Sequence, residues 1–426
     1  MNIELLHKLF LESQSVCTDT RKIKKNDIFF ALKGENFNGN EYAEQALKLG
    51  AKYAIIDEAK FKTSTQTILV DNVLKTLQEL ATFHRTYLKI PIIALTGSNG
   101  KTTTKELIHA VLSQKYNTTA TVGNLNNHIG VPLTLLSMQN DTEIAIIEMG
   151  ANHLKEIEFL CNIAKPDYGY ITNFGKAHLE GFGGVEGVIK GKSEMYEHLI
   201  AHNKTIFVNT DDSIQVEKTK NHNTYSFGKT NSNTSLIVNF IKAEPFVSCM
   251  FNNLEIESQL IGDYNFYNIA AAIAIGHYFK VDNNAIKTAI ENYIPTNNRS
   301  QIIQKHSNKI ILDAYNANPT SMRAALLNLE KQSGTKIAIL GDMFELGKDA
   351  NQEHQNIVDL AISLNIDHTI CVGENFYESK INSKKIEQYK SFEALKNNYN
   401  FSTIKNSILL IKGSRGMALE RVLDLF

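Results

Sequence analysis

The run Leu95-Thr96-Gly97-Ser98-Asn99-Gly100-Lys101-Thr102-Thr103 has the residue types needed to hold a triphosphate. Glycines let the backbone wrap a phosphate, and N–H groups at a helix start point partial positive charge at it. In such a loop Lys101 reaches the β- and γ-phosphates and the Thr102 hydroxyl takes a Mg²⁺ position. The full phosphate-loop pattern asks for glycine at position 95, where this chain has Leu95, so the loop is a shortened variant. Glu148 closes the apolar run Ile144-Ala145-Ile146-Ile147. A carboxylate there can hold a cation at the carboxyl edge of a parallel sheet, although acidic strand ends are also common without one.

Other candidates are individually weaker. His178 follows the strand-like run Tyr168 to Thr172, and Lys192 sits in Lys190-Gly191-Lys192-Ser193-Glu194. Taken alone, each reads as a structural or solvated side chain. Asn265 and Asn268, at i and i+3, share one helix face. Their amides could read adenine edges or cap the helix. Asp313-Ala314-Tyr315-Asn316-Ala317-Asn318-Pro319 leaves a strand and enters a helix, where a binding loop and a plain turn are equally open. Lys412-Gly413-Ser414-Arg415 also leaves a strand and could hold a carboxylate or phosphate. Gly181-Phe182-Gly183-Gly184-Val185-Glu186-Gly187 fails as a dinucleotide fingerprint, because Glu186 stands where the third glycine is required.

The elements that must position these residues fall into three regions. Residues 1–88 mix strand-like runs (27–32, 51–57) with helices (42–49, 73–88). Residues 89–296 begin with the buried strand Ile90 to Thr96 and continue strand, helix, strand, which means a parallel sheet with helices on its faces. Within them, 222–261 read as short antiparallel β segments with Asn-rich turns, followed by helices at 265–279 and 284–293. Pro295 to Asn298 reads as a linker. Residues 297–426 alternate strands (309–313, 336–340, 369–372, 407–411) with helices, one of which closes the chain, and form a Rossmann-like domain. The fold class is therefore α/β in three domains.

Composition narrows the partners. The 426 residues carry 44 Lys and Arg against 45 Asp and Glu, a balance that argues against a nucleic-acid binder. Cys17, Cys161, Cys249 and Cys371 stand far apart, with no CxxC pair for zinc and no disulfide framework, as expected in a reducing cytoplasm. Nothing resembles a signal peptide or a membrane span, so membrane insertion is not expected.

Together these segments resemble the Mur ligase family, ATP-dependent amide-forming enzymes of peptidoglycan synthesis. The resemblance covers nearly the whole chain in order. It implies that Gly97 to Thr103 bind ATP, that Thr102, Glu148 and His178 serve Mg²⁺ (two ions), and that Lys192 is carbamylated by CO₂ as a further anionic ligand. Lys101, Lys192 and His178 would be catalytic. Asn265 and Asn268, Arg299 and Asp313 would lie near adenine, phosphate and ribose. Thr18-Asp19-Thr20-Arg21 resembles the family's uridine-domain Asp-Ser-Arg motif, with Thr for Ser, so Thr18, Asp19 and Arg21 would hold substrate. Gly123 to Pro132, Gly341 to Gly347 and Lys412 to Arg415 are similar to the branch that joins D-Ala-D-Ala to UDP-MurNAc-tripeptide. Asn126 and Asn127 would then hold the uridine substrate, and Asn316 and Asn318 the dipeptide. The Asp-Asn-Pro-Arg motif typical of the branch that adds the third residue is absent. The alternatives are a related ligase adding a different amino acid and a catalytically silent nucleotide-binding relative. A monomer is expected.

Overall fold

Apolar runs become buried parallel strands in all three regions of the computed structural model, which describes residues 2–229 and 234–426. In the first region Val16–Cys17, Ile28–Phe30, Tyr53–Ile56 and Thr67–Leu69 pair in that order, all parallel. The helix Val73–Leu88 begins where the Asn72 side chain accepts from the Lys75 N–H. Its Leu77, Leu80 and Ala81, spaced by three and four, are buried in the core. Burying a leucine stabilises by roughly 1.5–3 kcal/mol, so this stripe seats the helix firmly. Arg85, on the same helix, donates to the carbonyls of Ala164 and Lys165 and pairs with Asp167 at 2.6 Å. That joins the first domain to the second.

The second domain is a seven-stranded parallel sheet. Its order is Leu236–Ile237, Thr224–Gly228, Thr205–Asn209, Tyr168–Ile171, Ile92–Thr96, Ile144–Glu148, Thr118–Ala120. The register sets Leu95 beside Glu148 and Ile171 beside Thr96, so three strands end at one level. Helix Lys101–Leu112 packs on one face with Leu107, Ile108, Val111 and Leu112, against the wholly apolar middle of helix Phe266–Tyr278.

One expectation needs correction here. Of residues 222–261, only Asn239–Lys242, Ser248–Phe251 and Leu254–Glu257 form an antiparallel sheet. Thr224–Gly228 and Leu236–Ile237 instead extend the parallel sheet. Leu236–Ile237 at the sheet edge and its five-residue neighbour Thr224–Gly228 carry too few residues for their pattern to reveal direction. Residues 230–233 of that stretch lie outside the described residues.

The third domain has a six-stranded sheet, ordered Gln301–Lys305, Asn308–Leu312, Ser407–Lys412, Thr335–Gly341, His368–Val372, Ile386–Tyr389. Only the first strand is antiparallel. It and Ile386–Tyr389 are edge strands that the sequence pattern did not reveal. The chain closes with 3₁₀ turns, Arg415–Met417 and Leu419–Leu425, rather than the expected α-helix. The Gly181 to Gly187 stretch is the junction of two helices, Leu179–Phe182 and Val185–Ala201, and not a strand-to-helix turn. All four cysteines are free and buried. Among the described residues, no helix is long and apolar enough to cross a membrane.

Candidate functional site

The strand ends of the second and third domains face one cavity of about 1040 Å³. The phosphate loop forms its middle-domain wall. Gly97 has φ +143, and a Cβ there would lie 2.0 Å from the Thr172 hydroxyl. Gly100 has φ +79, and a Cβ there would lie 2.5 Å from Asn268 Oδ1. Both positions demand glycine for backbone shape and for room. Asn173 holds the loop from outside, accepting from the Ser98 and Asn99 N–H groups. Thr172 and Asn173 both donate to the Asn99 carbonyl. Gly100, Lys101, Thr102 and Thr103, which open the helix, line the cavity.

Lys101 donates Nζ to the Gly97 carbonyl at 2.6 Å. Burial pulls its pKa down to about 8, Glu148 pushes it back up, and Arg299 lowers it further. Glu148 is buried. Its Oε1 accepts from Asn126 Nδ2 at 2.9 Å and from the Thr102 hydroxyl at 3.3 Å. Its Oε2 is buried with no hydrogen-bond partner. A buried carboxylate oxygen without a donor is costly unless something cationic completes it. Thr102, Glu148 and His178 all line the cavity, so the Thr102 and Glu148 oxygens fit Mg²⁺, with His178 offering a nitrogen beside them. No group of three His, Cys, Asp or Glu side chains that could hold a metal occurs among the described residues, so protein carboxylates alone do not enclose an ion.

Lys192 lies behind this wall. It is almost fully buried, donates Nζ to the Ala151 carbonyl at 3.0 Å and stands over the Phe182 ring. Burial, aided by the Lys101 charge, drives its pKa far below the usual lysine value. The amine is therefore held toward its neutral, nucleophilic form, which is the form CO₂ can carbamylate.

Asn265 and Asn268 line the cavity but do not cap their helix. Asn268 Nδ2 donates to Asn265 Oδ1, and Asn268 Oδ1 accepts from the Thr104 hydroxyl at 3.0 Å, which links the two helices. Asn127 accepts from the Ile129 and Gly130 N–H groups, shaping the turn that Asn126 shares.

The third domain supplies the facing wall. Asp313 Oδ2 takes a 2.6 Å ion pair from the buried Lys412, whose Nζ also reaches the Asn316 carbonyl. Arg299 lies over the Tyr315 ring at 3.7 Å. Asn318 caps helix Pro319–Glu330, its Oδ1 accepting from the Ser321 N–H. Its Nδ2 crosses the cavity to donate to Asn99 Oδ1 at 2.7 Å. The Lys176 N–H donates to the Thr320 hydroxyl, Lys176 Nζ pairs with Glu353 at 2.6 Å, and His178 Nδ1 meets Glu345. The bond from His178 holds the Glu345 carboxyl below its ordinary value, against the opposing effect of burial. The third domain is thus closed onto the phosphate loop.

Thr18, Asp19 and Arg21 stand apart from the cavity. Asp19 caps the turn Thr20–Lys22, and its bonds from Arg21 hold its carboxyl down to about 2. Sequence reading missed Tyr264 and Lys176 as contributors, and Glu345 entered only as part of the Gly341 to Gly347 resemblance, with no contact of its own. Tyr264 and Lys176 carry no motif, and each of the three acts through a partner distant in the chain.

Sheet order, phosphate loop and interdomain cavity define a three-domain α/β nucleotide-site fold. Three family models match in sequence: "Mur ligase family, catalytic domain" over residues 12–91, "Mur ligase middle domain" over 95–276, and "Mur ligase, glutamate ligase domain" over 298–415. The UDP-N-acetylmuramoyl-tripeptide–D-alanyl-D-alanine ligase of Bacillus subtilis (strain 168) is 35% identical, covering 96% of this chain and 92% of its own length. The ligase of the same name from Escherichia coli (strain K12) is 33% identical over 96% and 92%. Among solved structures, MurF from Acinetobacter baumannii has a TM-score of 0.85 at 31% identity, over 96% and 92%. The MurF ligase from Thermotoga maritima, in complex with ADP, has a TM-score of 0.84 at 27% identity, over 98% and 97%. The chain belongs to the Mur ligase family.

Proposed function

We propose that the chain is an ATP-dependent ligase joining D-alanyl-D-alanine to UDP-MurNAc-tripeptide, giving the UDP-MurNAc-pentapeptide of peptidoglycan synthesis. The observation that carries the reading is the closed cavity. It sets Lys101 and the unpartnered Glu148 oxygen on one wall, and the polar loops of Asp313 to Asn318 on the other. Relatives bearing that activity in their names match over almost the entire chain.

The chemistry follows from charge. The tripeptide carboxylate attacks the γ-phosphorus of ATP, the bond to the β-phosphate oxygen breaks, and ADP leaves. The dipeptide amine then attacks the acyl carbon, loses a proton, and phosphate departs. The first step brings anions together, and Lys101 with the loop N–H groups neutralises them. Thr102, Glu148 and His178 would hold Mg²⁺, which supplies cationic charge to the transferring phosphoryl group, and a Lys192 carbamate would add an anionic ligand. Asn265, Asn268, Arg299 and Asp313 are assigned to the nucleotide, and Asn126 and Asn127 to the uridine substrate with Thr18, Asp19 and Arg21. Asn316 and Asn318 are assigned to the dipeptide side. Closure of the third domain excludes water, which protects the acyl phosphate. Residues 1–88, 89–296 and 297–426 are the corresponding substrate, nucleotide and amine units. The enzyme works as a monomer in the cytoplasm.

Phosphate release, measured with ATP, D-Ala-D-Ala and either the lysine or the diaminopimelate UDP-tripeptide, tests the reading. Release that requires the dipeptide is expected. Release driven instead by a free amino acid and a dipeptide acceptor would overturn it.

A further inference from the structure

Helix Lys101–Leu112 carries the phosphate-loop lysine at its first position and Glu106 just over one turn later. The Glu106 carboxylate is shared by two residues on the way into the third domain. Tyr293 donates its phenolic O–H to Oε2, and Asn297 donates Nδ2 to Oε1 at 2.9 Å. Burial and the Glu106 charge together push the Tyr293 pKa well up, so its proton stays in that bond. Lys105 Nζ, 3.7 Å away, offsets part of the carboxylate charge.

Beyond Asn297 the backbone takes a shape that non-glycine residues seldom adopt. Asn298 and Ser300 have φ of 55° and 53°. A second clamp follows at once. The Ser300 N–H donates to Asp313 Oδ1 at 3.1 Å, and the Ser300 and Tyr264 hydroxyls lie 2.8 Å apart. Arg299 is the residue between the clamps. Its guanidinium is stacked on Tyr315, its Nε is buried with no partner, and it lines the cavity. Its charge also lowers the Lys101 pKa, so the two cations act on one space.

We propose that Glu106 is a positioning residue. By gripping Tyr293 and Asn297 it fixes the interdomain segment to the phosphate-loop helix and so delivers Arg299 to the phosphates that Lys101 serves. The proposal rests on the reading of Arg299 as a nucleotide contact, made above.

The test is steady-state kinetics on Glu106→Ala, Arg299→Ala and the double variant, with ATP and UDP-tripeptide varied in turn. Glu106→Ala should raise the KM for ATP by about tenfold and leave the KM for UDP-tripeptide within about twofold. Because Glu106 acts through Arg299, the double variant should be no weaker toward ATP than Arg299→Ala alone. Glu106→Gln keeps an acceptor oxygen and should recover part of the loss. Tyr293→Phe removes one donor without changing shape, and guards against a Glu106→Ala protein that fails to fold. It should show a smaller rise in the same constant. An unchanged ATP KM in Glu106→Ala, with Arg299→Ala impaired, would overturn the positioning role and leave the nucleotide reading standing. Additive losses in the double variant would do the same. An unchanged ATP KM in Arg299→Ala would overturn both.

Discussion

The two walls of the cavity are built in different ways. The middle-domain wall is contiguous: Gly97 to Thr103 are seven consecutive residues, and their shape is set by two glycines and a helix start. The third-domain wall is assembled at a distance. Asn318 reaches Asn99 across 219 residues, Glu345 reaches His178 across 167, and Thr320 reaches Lys176 across 144. A local wall depends on backbone conformations that residue type dictates. A remote wall depends on two domains meeting, which no single segment encodes. The first should therefore keep its shape whether or not the domains meet, and the second should control when the site is completed around the substrates.

The largest expected effect tests the local wall. Lys101→Ala removes the cation facing the β- and γ-phosphates. Turnover should fall by about two orders of magnitude or more, a loss of roughly 3 kcal/mol or more in transition-state stabilisation. Steady-state phosphate release measures it. Turnover near that of the unaltered enzyme would mean that the seven-residue loop is not where phosphate is handled, and the contrast between walls would collapse.

What the sequence made legible follows the same division. The apolar strands, the glycine positions, Lys101 and Glu148 could be read from residue type and spacing, because each answers a local requirement. Lys192 could not be read so: a lysine in a helix is ordinarily on the surface, and only the fold buries it against Phe182 and Ala151. Glu106 was invisible for the same reason, since its partners Tyr293 and Asn297 lie 187 and 191 residues away. The edge strands Gln301–Lys305 and Ile386–Tyr389 escaped because one face of a short edge strand imposes little pattern.

Lys192 provides the next test, since it belongs to the middle domain yet was not legible locally. Lys192→Ala should abolish most activity, and formate or another one-carbon acid should restore part of it by filling the vacated anionic position. Isotopically labelled bicarbonate should give a carbamate resonance in the unaltered protein and none in the variant. A well-folded Lys192→Ala enzyme with full activity would remove the carbamate, and with it the role that burial gives Lys192.

The smallest effect sharpens the contrast most, because one side chain serves both kinds of construction. Asn318 Oδ1 answers a local need, capping helix Pro319–Glu330 through the Ser321 N–H at 2.9 Å. Its Nδ2 answers a remote one, donating to Asn99 Oδ1 at 2.7 Å. Asn318→Ser keeps a capping oxygen but has no amide to span the cavity. Asn318→Ala loses both. Substituting a cap by alanine costs about 1 kcal/mol, so only the alanine variant should lose that much stability in urea unfolding. The crossing bond is worth about 1 kcal/mol net, so both variants should lose about fivefold in kcat/KM. Because the bond joins the third domain to the phosphate loop, the loss should appear with ATP and with D-Ala-D-Ala alike, as a weaker closed state would produce. A loss confined to the dipeptide would assign Asn318 to direct recognition of the amine substrate, and closure would then rest on Lys176, Glu353, His178 and Glu345. A serine variant as unstable as the alanine variant would show that the two constructions cannot be separated at this residue.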